Sequence, residues 1–138
     1  MKELLLVGLL MGVTNAEVKC LADNMYFEAR NQGLAGLLAV MNVVMNRVSD
    51  SRYPDTICEV TKQGPTQLSW KGTGEEIPVR NKCQFSWYCD GKPDKVTDKS
   101  SYERIYNFSH SVLNLSTPYL DITAVSYTHL RAHETRHD

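Results

Sequence analysis

At 138 residues the chain has room for one domain. Its 15 basic and 16 acidic residues leave a formal charge of −1. With no basic footprint, nucleic acid is excluded as the expected partner.

The first sixteen residues read as a secretory signal. Lys2 supplies the positive charge, Leu4 to Val13 form a short apolar run, and Thr14-Asn15-Ala16 offers small residues for cleavage. That run is too short to span a bilayer, so no integral membrane segment is expected once the signal is removed. Val18, Leu21, Ala22, Met25 and Ala29 then recur at helical spacing and predict a helix with one apolar stripe. At about 100° per residue, Glu28 and Tyr26 fall on opposite shoulders of that stripe, while Asp23 lies across from it. Gly33 ends or interrupts this helix.

Leu34 to Val48 forms a second helix, apolar almost all round, which predicts burial at the domain centre. Its polar exceptions, Asn42 and Asn46, lie one turn apart. They read equally as buried amides serving the backbone or as a stripe lining a cleft. Ser49 to Pro54 is a turn, and Thr56-Ile57-Cys58-Glu59 fits the capping box of a short helix. Gly64, Pro65, Gly72, Gly74 and Pro78 mark 63–82 as a long surface loop. Gln84 to Tyr88 alternates and predicts a strand with Phe85 and Trp87 on one face. Asp90-Gly91 makes the next turn. A further capping box, Ser100 to Glu103, opens a helix whose inner positions are Tyr102, Ile105, Tyr106, Ser109, Val112 and Leu113. His110 falls on or near its polar side, and Pro118 closes the helical region. The fold class is α+β, mainly α.

Beyond residue 124 the character changes. Val125 to Thr135 resembles a translated DNA-sequencing adapter and has no sustained apolar period; His129, His133 and His137, three of the four histidines, fall within nine residues. His133-Glu134-Thr135-Arg136-His137 formally matches the zinc-protease pattern H-E-x-x-H. It has no third ligand downstream and no apolar face to bury, so no metal is expected there. The expected division is a signal over 1–16, a domain over 17–124 and a non-native tail over 125–138.

Export makes Cys20, Cys58, Cys83 and Cys89 two disulfides. Of three pairings, Cys83 with Cys89 is disfavoured, because an extended strand would set them about 20 Å apart.

Glu28 is the leading functional candidate. A glutamate against aromatic and apolar neighbours loses solvation of its charged form, so its pKa rises and it can hold a proton near neutral pH. A general acid cleaving a glycosidic bond needs that property. The bland alternative, a surface glutamate paired with Arg30 or Asn31, is the commoner fate of a carboxylate.

Four separated blocks then agree: Cys20 to Arg30, Ala39 to Val48, Tyr53 to Val60, and Cys83 to Gly91. In this order they resemble the SleB-type cell wall hydrolases, which include spore cortex-lytic enzymes and related bacterial and phage proteins. The resemblance covers roughly residues 18 to 124. It implies a lysozyme-like domain that cleaves the glycan strand of peptidoglycan, with Glu28 at the catalytic-acid position. It further implies that Gln84, Phe85 and Ser86 line the cleft and that Asn46 matches the family's asparagine-arginine pair. The family's glycine-alanine and aromatic continuation is replaced here by the adapter-like tail, so the domain is expected to be incomplete at its C-terminus.

No second carboxylate of matching depth is evident; Asp23, Asp55, Glu59 and Asp90 qualify only by type. A lone acid suits a lytic transglycosylase, in which Glu28 protonates the leaving oxygen and then accepts the muramoyl 6-hydroxyl proton. Asn42, Asn46, Ser86 and Tyr88 are candidates for the N-acetyl group and sugar hydroxyls. Trp70, Trp87 and Phe85 are candidates for stacking, although core packing is the commoner role of such rings. The alternatives are a hydrolytic muramidase, a non-catalytic peptidoglycan-binding module and a disulfide-stapled inhibitor. The expectation is a secreted or periplasmic monomer without cofactor.

Overall fold

A computed structural model describes residues 13–114. Most of the signal-like segment (1–12), Pro118, the adapter-like stretch and the H-E-x-x-H match lie outside the described residues.

The first helix, α1, spans Asn15–Ala29, and the Thr14 hydroxyl caps it by accepting from the Glu17 amide. The expected cleavage point after Ala16 therefore falls in its first turn. Val18, Leu21, Ala22, Met25 and Ala29 are buried, as their periodicity predicts. So are Asn24 and Tyr26, because α1 has neighbours on more than one side. It packs against each of the other helices.

That corrects one expectation. The second helix, α2 (Gly33–Ser49), is not the enclosed centre of the fold. Leu38, Met41, Val44, Met45 and Val48 form a single buried stripe, while Leu34 is 51% and Val43 40% exposed. An all-round apolar composition permits central burial but does not impose it. The connection also differs: α1 ends on its own at Arg30, and Gly33, with φ +72°, opens α2.

Helix α3 (Ile57–Thr61) begins as predicted, with the Thr56 hydroxyl accepting from the Glu59 amide. The Glu17 carboxylate accepts from the Ile57 amide at 2.8 Å, and the Cys20–Cys58 disulfide ties α1 to α3. The loop expected over 63–82 contains a small antiparallel hairpin, β1 (Thr66–Leu68) with β2 (Glu76–Pro78), registered Thr66 to Pro78 and Leu68 to Glu76. Its strands are three residues long and mostly exposed, so no apolar alternation announces them.

The strand expected over 84–88 is a turn of 3-10 helix, Ser86–Cys89. This tightening brings the Cys83 and Cys89 Cα atoms to 6.1 Å, and these two cysteines form the second disulfide. The disfavoured pairing is therefore the one made. The argument against it failed because it assumed extended backbone. Asn81, at φ +63°, turns the chain so that its amide reaches the Cys89 carbonyl at 2.8 Å.

The last helix, α4 (Lys99–Leu113), is capped by Asp98 rather than Ser100. The Asp98 carboxylate accepts from the Ser101 amide at 3.1 Å and the Ser101 hydroxyl at 2.6 Å. Ile105, Ser109, Val112 and Leu113 are buried, and His110 is exposed as expected. The described residues thus form a mainly helical unit with one two-stranded sheet. No helix among them is long and apolar enough to cross a membrane.

Candidate active site

Glu28 sits in the last turn of α1, half-buried as its phase on the helix predicts. Burial pushes its carboxyl pKa up, and no other charged side chain among the described residues contributes to the shift. The position works in the same direction, since the C-terminal turn is the negative end of the helix dipole.

Beside it lies an open cleft of roughly 400 Å³. One wall is the end of α1 with the turn that follows it, from Tyr26 to Gln32; the other is the segment carrying Pro93, Lys95 and Thr97. Tyr26 joins the two walls. Its hydroxyl oxygen accepts from the Thr97 amide at 3.2 Å, the Asp98 amide at 3.0 Å and the Arg30 guanidinium. Arg30 also donates to the Thr97 hydroxyl at 3.3 Å. Burial alone would raise the Tyr26 pKa, but these donors outweigh it and leave the pKa lowered. The Tyr26 ring meets Phe27 edge-on at 5.0 Å and Tyr102 at 5.6 Å.

Phe27, which also lines the cleft, stacks on Trp87 with ring centroids 4.8 Å apart and planes 26° from parallel. The Trp87 indole N–H donates to Asn24 Oδ1 at 2.8 Å. Asn24 is fully buried one turn before Glu28, and its Nδ2 has no hydrogen-bond partner. An orphaned buried amide of this kind costs about 1–3 kcal/mol.

The residues expected to meet substrate do not line this cleft. Asn46 is exposed on α2; Asn42, one turn before it, is half-buried. Gln84 is exposed, with its backbone amide bonded to the Gln63 carbonyl. Phe85 is in the core beneath the Arg47 guanidinium, which lies 5.5 Å from its ring. Ser86 is exposed. Tyr88 is half-buried and touches the Trp87 ring edge-on at 5.8 Å, which links it through Trp87 and Phe27 to the cleft. Trp70 stands 87% exposed between the two strands of the hairpin. Sequence reasoning missed the Tyr26–Thr97 bridge and Asn24. A polar residue one turn before Glu28 was a visible signal for Asn24. The 93–97 segment, exposed except for the half-buried Val96, carried none.

Several other carboxylates are engaged. Asp23 accepts from Lys19 and from the Tyr102 hydroxyl, each at 2.6 Å. Its side of α1 thus faces α4. Asp98 and Glu59 serve helix caps, Asp90 accepts from the Lys92 amide, and Asp55 is exposed. The Asp94 pKa is raised by burial and by the neighbouring Asp90 and Asp23 charges. Among the described residues, no group of three or more His, Cys, Asp or Glu side chains could hold a metal ion.

A family model described as Cell Wall Hydrolase matches residues 31–129. The matched stretch begins three residues after Glu28 and takes in α2, the hairpin, the 83–89 loop and α4. No curated protein and no solved structure matches the chain. Such a domain stapled by two disulfides suggests a location outside the cytoplasm. The resemblance read from the four sequence blocks and the match over most of the chain agree: the protein belongs to the SleB-type cell wall hydrolases, a family of enzymes that cleave peptidoglycan.

Proposed function

We propose that the protein is a lytic transglycosylase of lysozyme-like architecture, acting on the bond between N-acetylmuramic acid and N-acetylglucosamine. The observation that carries this reading is Glu28 itself: a half-buried carboxyl on a cleft, with its pKa raised by desolvation alone and no salt-bridge partner among the described residues. Such a group keeps its proton at a pH where ordinary glutamates have lost theirs.

In the first step protonated Glu28 donates to the glycosidic oxygen as the bond to muramoyl C1 breaks. The leaving sugar departs with a hydroxyl, and positive charge develops on the muramoyl ring. In the second step the Glu28 carboxylate accepts the proton of the C6 hydroxyl as O6 closes onto C1. The product is a 1,6-anhydro end and Glu28 is again protonated, so one residue serves as acid and then base.

A hydrolytic route needs a second carboxylate roughly 5–10 Å away, as nucleophile or water-activating base. Burial is the cause of the raised Glu28 pKa, which suits the single-acid route; Asp94, between the cleft-lining Pro93 and Lys95, is the carboxylate a hydrolytic route would call on. Asn46, Gln84, Ser86 and Tyr88 are proposed to meet sugar hydroxyls and acetamido groups further along the glycan. Phe85, which is buried, is proposed to support the loop that presents them.

Digestion of sacculi in 18O-labelled water tests the reading. Fragments ending in anhydromuramic acid without label are the expected products. Reducing muramic acid carrying the label would establish hydrolysis instead.

A further inference from the structure

Stability explains the arrangement around Asn24 only in part, through the acceptor it gives the Trp87 indole. A fully buried position on the central helix would be filled better by an apolar side chain, yet it holds an amide that uses only one of its polar atoms. That atom fixes the Trp87 indole, which lies against Phe27 on one side and meets Tyr88 edge-on at another. All three residues are half-buried. Phe27 is next to Glu28 in the chain and lines the same cleft.

We propose that Phe27, Trp87 and Tyr88 form an aromatic strip that binds the pyranose rings flanking the cleaved bond, with Asn24 as the positioning residue that sets the orientation of Trp87. The C–H face of a pyranose is apolar and complements the electron-rich face of an aromatic ring, while the indole N–H is satisfied from beneath by Asn24. Because that hydrogen bond comes from the buried side, the indole is held without using groups a sugar would need. The inference rests on reading the Glu28 cleft as the cleavage site, and its test is independent of the acid assignment.

The chain has two tryptophans, and the other, Trp70, is 87% exposed on the hairpin. Trp70→Phe leaves Trp87 as the single indole reporter, and adding Glu28→Gln keeps the ligand intact. Titration of this double variant with peptide-free glycan strands is expected to shift and saturate the indole emission. Unchanged emission up to millimolar glycan would overturn the strip. In the same background, Asn24→Leu is expected to weaken glycan affinity roughly tenfold with the melting temperature unreduced. Unaltered affinity, or a loss of affinity that only follows a loss of folding, would overturn the positioning role. Failure of the strip would leave the Glu28 chemistry standing, and reducing-end products would leave the strip standing.

Discussion

Tyr26→Phe tests whether the cleft is built as described. The substitution keeps the ring, which is 3% exposed, and its contacts with Phe27 and Tyr102. It removes one oxygen that accepts from the Thr97 amide, the Asp98 amide and Arg30. Each of the two backbone bonds contributes about 0.5–1.5 kcal/mol net, and the freed amides are half-shielded from water. The Arg30 bond adds less, because the guanidinium is exposed and can hydrate. Together these give a loss of about 2–3 kcal/mol. At about 4 °C per kcal/mol for a chain of this size, the melting temperature falls by roughly 8–12 °C. Freeing the Asp98 amide also loosens the residue that caps α4, so the destabilisation is read as early fraying of that helix. Thermal melts followed by circular dichroism measure the shift. Sacculus turnover at a permissive temperature should show KM raised more than kcat lowered, since the wall moves and the acid stays. A shift under about 2 °C with unaltered KM would refute the role of Tyr26 as the tie between the two walls.

Other outcomes follow from the same structure. The folded-state pKa of Glu28 is raised, so the contribution of this group to stability is present below the unfolded glutamate pKa and lost as pH rises through the folded value. Glu28→Gln should therefore melt higher than the parent at neutral pH and converge with it on acidification; a lower melting point at pH 7 would contradict the burial. By the same sign, kcat/KM should fall as pH rises through the Glu28 pKa, because the acid must be protonated, and a rate rising through that limb would count against it. The disulfides close loops with sequence separations of 38 and 6. Loop entropy assigns them about 3.9 and 2.2 kcal/mol, so the Cys20→Ser/Cys58→Ser pair should lower denaturant stability more than Cys83→Ser/Cys89→Ser. Equal losses would show that strain or residual unfolded structure dominates. Trp70→Ala, at an exposed site, should change stability by under about 0.5 kcal/mol in denaturant titration.

What the sequence disclosed follows the range of the interactions involved. The α1 stripe and the Thr56 cap are set by residues three or four apart, and both stand where the pattern puts them. The half-burial of Glu28 follows from its phase on that same helix. The placement of α2 depends on which helix the others choose to pack against, and an all-apolar segment carries no information on that choice. The 84–88 alternation was ambiguous in a different way. Phe85 buried and Ser86 exposed suits both a strand and a 3-10 turn, and the deciding constraint is covalent. The α4 cap moved because Asp98 competes with Ser100 and is drawn to the Tyr26 hydroxyl by its amide. That contact joins residues 72 apart in the chain. The second wall of the cleft has the same origin. Nothing in the sequence of Pro93 to Thr97 marks it as a wall; the bonds of Thr97 to Tyr26 and Arg30 and the packing of Val96 on the core do.

The central claim is that Glu28 is the acid of glycan cleavage, and release of soluble fragments from sacculi by the Glu28→Gln variant tests it most directly. Glutamine matches the volume and cannot donate the proton, so the fold should survive and anhydro-muropeptide release should disappear. Undiminished release by a folded Glu28→Gln protein would contradict the claim.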